Sequence, residues 1–353
     1  MSDPLEQTTQ RLLADHCSPE VVAAAEGSWS APLWERLEQT GLTTVGVPEE
    51  MGGSGGDIVD AATIVRLAAR YAAPVPLAET ILLAGWACEA AGLPLPAGPL
   101  TVAMDSPDAP LVATRTISGW TIRGTSRGVP WARTATRILA VAHAAGADNC
   151  IAALVDPADC ELSLGTNLAG EPRDDVTFPD VVLSADAVGR FDGDPFDVLR
   201  HRGALARAVQ IAGALEGTLE LTIRYATERT QFGRPIGRFQ AVQHQVALLA
   251  GEVAAVTAAA DGAVRAVAGG DGNLAVAAAK IRAGMAAGTA ARLAHQVHGA
   301  IGFTQEHPLH HLTRRLWAWR EEHGSDELWA VELGRVVAVH GPEDTWALIT
   351  STM

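Results

Sequence analysis

Hydrophobic and polar residues follow two different rhythms along this chain. From about residue 5 to residue 95, apolar positions recur three or four apart in stretches such as VVAAAEGSW, APLWERLEQTG and DIVDAATIVRLAARYA, the spacing of helices with one buried stripe. Gly41 follows the second stretch as a C′ residue would, and VPEEMGGSGGD (47–57) is a loop punctuated by Pro and Gly. Between about 98 and 193 the rhythm shortens to alternating or β-branched runs: LTVAMD, PLVATRTI, WTIRGT, RILAVAHA, CIAALVD and VTFPDVVL. These predict a small β-barrel or sandwich, with Ser118 and Gly119 turning its clearest hairpin. Helical periodicity returns over 199–229, 240–269 and 274–299, with Ala and Gly that let helix axes approach closely. The run from Gly269 to Asn273 predicts a helix-to-helix turn with Asn273 as the N-cap. The whole is an α+β chain, mainly α: an N-terminal helical domain (1–97), a central β domain (98–193) and a C-terminal helical bundle (194–353).

Composition narrows the picture. A chain of 353 residues with 48% apolar and 19% charged residues has enough material for a large core in about two or three domains. No uninterrupted apolar run approaches the ~18 residues of a membrane span, and the acidic start MSDPLEQTTQ does not resemble a secretory signal, so the expected location is the cytoplasm, away from membranes. A net charge of -15 repels phosphate backbones, which argues against nucleic acid while leaving room for one phosphate held by a local Arg. Cys17, Cys88, Cys150 and Cys160 show no CxxC spacing and read as reduced thiols.

Chemistry concentrates in RYATERTQFGRPIGRFQ (224–240). A long helix ends near Arg229, a Gly-and-Pro turn follows, and a new helix begins near Phe239, so a guanidinium, a backbone turn and polar side chains meet at one corner. RYATERTQFGRPIGRFQAVQHQVALLA resembles the signature of the acyl-CoA dehydrogenase family. LWERLEQTGLTTVGVPEEMGGSGG (33–56) is similar to that family's N-terminal segment, and QVHGAIGFTQEHPLHHLTRR (296–315) to its late C-terminal one. The resemblance implies N-terminal helices, a central β domain, a C-terminal four-helix bundle and FAD at a subunit interface. It also implies that Arg229, Gln231 and Phe232 grip the pyrophosphate and adenosine, with Gln240 in the same corner. Gln296 and Gly299 would contact that half too, Ala300 replacing the family's second glycine, while Trp131 would pack against the flavin ring and Ser325 would contact the cofactor.

Two departures stand out. Met104 to Pro110 replaces and shortens the family's Thr-Glu-Pro-Gly-x-Gly-Ser-Asp loop. The reaction also needs a base to remove a proton α to the thioester, usually a desolvated Glu. Counting without gaps from Gln296 puts His323 at one customary Glu position, and the other falls near Gly203. His323 is therefore the candidate catalytic residue, with Glu321, Glu322, Asp326 and Glu327 as neighbouring carboxylates. His295, His298, His307, His310 and His311 lack the companions of a metal site, so none is expected, and Gly52-Gly-Ser-Gly-Gly56 is an ordinary turn.

The resemblance points to the short subunit of a heteromeric acyl-CoA dehydrogenase of the steroid side-chain type. Such a chain lends its ADP-binding corner to a sister subunit in a heterotetramer, with an acyl-CoA as substrate and electron-transfer flavoprotein as the electron acceptor. A homo-oligomeric flavin monooxygenase using His323, or a non-catalytic assembly subunit, are the other readings of the same residues.

Overall fold

The structure is a computed structural model that describes residues 4–104, 110–117, 119–146 and 149–351. The replaced loop at 105–109 and the hairpin residue Ser118 lie outside the described residues. The chain divides into two compact units, one comprising 24–61 and 74–202 and the other comprising 1–23, 62–73 and 203–353.

The first unit holds the sheet. Its strands are β1 (Leu100–Ala103), β2 (Val112–Arg115), β3 (Trp120–Pro130), β4 (Arg137–Ala144), β5 (Cys150–Val155), β6 (Glu161–Ser163), β7 (Arg173–Leu183) and β8 (Val188–Arg190). They form one mixed eight-stranded sheet in the order β6-β7-β3-β2-β4-β5-β8, with β1 also on β4. The β2–β3 hairpin closes on Arg115 opposite Trp120. Ile122, Ile138, Ala140, Ile151, Val176 and Phe178 fill the core with at most 1% exposure each. All six stretches with strand rhythm contain a strand. β6 and β8 are three residues each, too short to show alternation, and β3 runs through glycines that otherwise signal a turn.

In the same unit, helix α3 (Ala31–Gln39) starts at Ser30, whose hydroxyl accepts from Leu33 N at 3.4 Å. It stops in a Schellman motif: Gly41, at φ 73°, donates to Glu38 O at 2.9 Å, and Leu42 donates to Leu37 O at 3.0 Å. A π-helix, Ala78–Gly85, is buried throughout and fastened to β1 by Thr80, whose hydroxyl exchanges hydrogen bonds with the Leu100 backbone at 3.0 and 3.2 Å.

The second unit is helical. Helix α1 (Pro4–His16) lies in it, as do most of α2 (Pro19–Ala24) and of α4 (Ile58–Arg70), whereas α5 (Trp86–Ala91) belongs to the sheet-bearing unit. The long helices are α6 (Pro195–Glu228), α7 (Gln240–Ala268) and α8 (Asn273–His298), followed by α9 (Leu309–Glu321) and α10 (Asp326–Ser351), which kinks at Gly341. A Cβ on Gly213 would overlap the Arg66 carbonyl, so only glycine lets α6 pass α4 at that distance. Ala283, Ala286, Ala287, Ala290 and Ala294 give α8 a wholly buried stripe on which α7, α9 and α10 pack. The expected cap at Asn273 is corrected by one residue. Asn273 is already helical, and Gly272, whose carbonyl accepts from Val276 N at 2.8 Å, caps α8 without a side chain. Among the described residues α7 is long and apolar enough to cross a membrane by length and composition, with a mean hydropathy of 1.5 over its most apolar window. Only 28% of that window is buried within the chain.

Candidate functional site

The corner after α6 is built by local geometry. Arg229 N donates to Tyr225 O at 2.9 Å as the last helical bond, and Ile236 N donates back to Arg229 O at 2.8 Å. Between them β9 (Thr230–Gln231) and β10 (Arg234–Pro235) make a minimal hairpin. Its two central residues, Phe232 and Gly233, stand at φ 51° and 78°, the pair of positive angles a type I′ turn requires. A left-handed Phe is uncommon, and here it is also 92% exposed. Its ring meets Phe239 edge-on at 6.1 Å, while the Arg234 guanidinium sits 4.2 Å from the Phe239 ring centre. Arg229, Gln231 and Gln240 are exposed around this turn. The result is a cationic corner capped by an uncovered aromatic.

The Gln296–Gly299 segment ends α8 in the same unit, linked to α6 through Tyr225, which stacks on His298 at 4.6 Å. Gln296 is exposed. Gly299 adopts φ 64° and ψ -144°, a backbone that side chains resist, yet a Cβ there would meet nothing within 4 Å. The glycine therefore serves a backbone shape and an open approach, not a tight packing contact. Nearby, His307 meets His298 at 4.6 Å and Tyr225 at 5.9 Å. Burial, and then the neighbouring His298, His310 and His295, push His307 down to about 4, and burial lowers His295 and His298 in the same way. Neutral imidazoles packed ring to ring act here as aromatics. Among the described residues no group of three or more His, Cys, Asp or Glu side chains is arranged to hold a metal.

The position expected for a base is the turn between α9 and α10. His323 is half-buried with a left-handed backbone at φ 53°, and its carbonyl accepts from Trp329 Nε1 at 2.9 Å. A Cβ on Gly203 would overlap the His323 imidazole. The two positions expected from the sequence for a base thus face one another, and each is shaped around the other. Beside them Glu322 is held by Arg207 at 2.7 Å, an arginine only 1% exposed that also bonds Gln210. Ser325 Oγ accepts from Leu328 N at 3.3 Å at the start of α10, so its own proton remains to donate. In the sheet unit Trp131 is 3% exposed at φ 58°, with its N donating to Pro172 O at 3.1 Å.

The structure brings Arg229, Gln231, Phe232 and Gln240 together at one corner, and His323 beside Gly203 at another place in the helical unit. Sequence reasoning missed Arg207, Trp329, Tyr225 and Lys280. Arg207 leaves one trace in the sequence, as a lone cation inside the apolar helical stretch GALARAVQIAG, whereas Lys280 shares its stretch, NLAVAAAKIRAG, with Arg282.

Comparison with known proteins fits this architecture. Residues 3–92 match the acyl-CoA dehydrogenase N-terminal domain, and residues 200–337 match the acyl-CoA dehydrogenase C-terminal domain. The acyl-CoA dehydrogenase IpdE2 of Mycobacterium tuberculosis is 32% identical over 330 residues, spanning 92% of this chain and 91% of that protein. Among solved structures, a variant of the Tcur3481-Tcur3483 steroid ACAD is 27% identical with a TM-score of 0.82, covering 95% of this chain and 96% of its own. The ChsE4-ChsE5 complex from Mycobacterium tuberculosis shares the fold with a TM-score of 0.86 at 24% identity, covering 97% of this chain and 99% of its own.

Proposed function

The chain belongs to the acyl-CoA dehydrogenase family, FAD-dependent oxidoreductases that act on CH–CH groups, and from that premise we propose that it is the short subunit of a heteromeric member. In this reading it holds the ADP half of FAD for a sister chain that carries the isoalloxazine, the acyl-CoA and the catalytic Glu. One observation carries it. The residues suited to the diphosphate and adenosine stand exposed at one corner, whereas neither base position has a carboxylate and His323 fills the space beside Gly203.

The corner fits the cofactor by the chemistry of its donors. Arg229 would hold the diphosphate through charge-assisted bonds, Phe232 would cover the adenosine with its open ring, and Gln231, Gln240 and Gln296 would supply polar contacts. Gly299, with no neighbour where a Cβ would stand, would let the cofactor approach the backbone, and Ser325 would donate its hydroxyl. Trp131 belongs to the flavin side of the match, and its burial leaves little of the indole to offer. Bound FAD supplies the hydride acceptor for α,β-desaturation, and electron-transfer flavoprotein is the proposed next acceptor. A partner subunit also accounts for the apolar surface that one chain leaves open. Ile223 is 44% exposed, Leu248 48% and Phe232 92%, and little of α7 is covered. Likeness to a steroid ACAD supports a bulky polycyclic acyl-CoA as substrate.

The test is flavin absorbance after purifying the chain alone and after co-expression with a longer, Glu-bearing family member from the same organism. Colour only in the co-purified complex is the expected result. Full flavin occupancy by the chain alone would favour the homomeric reading with His323 as the working base.

A further inference from the structure

Every member of the chain's 26 lysines and arginines is an arginine except one, Lys280, and that lysine is wholly buried in α8 at 0% exposure. Its Nζ donates to the carbonyl oxygens of Arg320 and Gly324, both at 2.6 Å. Those carbonyls lie at the end of α9 and in the turn before α10, on either side of His323. A compact ammonium with rotatable donors can gather two such acceptors at one point without the room that a guanidinium's planar fork takes. The charged groups that face it are Arg207 from α6, Glu321 at the end of α9, Glu322 in the turn that follows, and Asp326 from α10. Burial, and then Arg207, push Lys280 down to about 8, while the three acids pull the other way. Keeping this charge inside the bundle therefore weighs against the fold, so its contribution is to be sought in what its two bonds hold.

What they hold is a turn tied from three other directions. Arg207 fixes the Glu322 carboxylate, Trp329 fixes the His323 carbonyl, and Gly324, at φ 94°, backs onto the Trp329 indole, where a Cβ would come within 2.7 Å of Nε1. We propose that Lys280 is a positioning residue: by tying the Arg320 and Gly324 carbonyls to one ammonium, it fixes the turn so that the His323 imidazole lies on Gly203 and closes the space either customary carboxylate would use. The placement itself is independent of the function proposed above; only its meaning for the reaction rests on that reading.

The experiment uses the full chain, co-expressed with its sister where that is needed, carrying Lys280→Met or Lys280→Gln. The rate at which diethyl pyrocarbonate modifies His323 is mapped by mass spectrometry, with circular dichroism and the thermal midpoint as controls for folding. Gly203→Ala, whose new Cβ displaces the ring without touching the lysine, sets the rate for a released imidazole. Lys280→Met is expected to raise the His323 rate roughly fivefold, the weight of one net hydrogen bond. Lys280→Gln should do less because its amide still reaches one carbonyl, and the rates of the remaining histidines should stay put. An unchanged His323 rate in folded Lys280→Met overturns the proposal. So does loss of the fold in both variants, since the lysine would then support the bundle and not the turn. Flavin retention is scored separately: a released His323 in a complex that never holds flavin keeps the positioning role and sinks the cofactor reading.

Discussion

Arg229 is the residue on which the cofactor reading concentrates. It stands where α6 has just ended, exposed, with its backbone committed to the turn and its guanidinium left to solvent. Replacing it with Ala should leave the fold intact and weaken FAD binding by the complex roughly ten- to a hundredfold, the ~1.5–3 kcal/mol of a hydrogen bond to a charged group. Flavin affinity measured by fluorescence titration checks this, and an unaltered affinity would sink the assigned grip. At this scale the sequence was informative where a motif is contiguous. Gap-free counting from Gln296 reached His323, and a separate family position reached Gly203; that the two touch needed coordinates. Lys280 was silent, because beside Arg282 on an alanine-rich helix it looks the same whether it faces water or two carbonyls.

Among the elements, α6 depends on its glycines. Gly213 faces the α4 backbone with no room for a methyl group, whereas a Cβ on Gly334, in α10, would meet nothing within 4 Å. Gly213→Ala should therefore destabilise the chain by about 1–3 kcal/mol through overpacking. Gly334→Ala should stabilise it by about 0.5–1 kcal/mol through helix propensity. Urea denaturation of the two variants decides, and equal effects would remove the close-approach account. The long helices were legible because their apolar period persists over many turns. The π-helix at Ala78–Gly85 was not, since a run buried on every side has no amphipathic period to read. The cap of α8 slipped by one residue because a Gly-Asp-Gly-Asn run offers several equivalent starts.

At the scale of the whole molecule, buried titratable groups set how stability follows pH. His307 is held near 4 in the folded chain against an ordinary 6.5, so the folded state binds fewer protons between those values. Its contribution is fully present above pH 6.5 and is lost as pH falls towards 4, with His295 and His298 acting in the same direction. Lys280, held near 8 against 10.5, follows the same sign in a higher window, and stability should climb as pH rises above about 8. Cys17, Cys88 and Cys160, raised from 9.0 to about 12 chiefly by burial, oppose it as pH approaches and passes 9, where the unfolded chain sheds those protons first. Denaturation midpoints should therefore rise with pH from 5 to about 7, and between 8 and 9, where the lysine and the three thiols act in opposite directions, they should hold nearly level in the parent chain and fall in Lys280→Met. The same slope over that last interval in parent and variant would contradict the assignment.

The solitary amine has one more consequence, for chemistry performed on the protein from outside. Reagents and enzymes that acylate, tag or cross-link lysine side chains find no reachable target while the bundle is closed, because the one candidate is sealed beneath a turn. A label appearing on Lys280 would thus time the opening of the helical core, as slow amide exchange does elsewhere, but through a single site with no competing lysine to subtract.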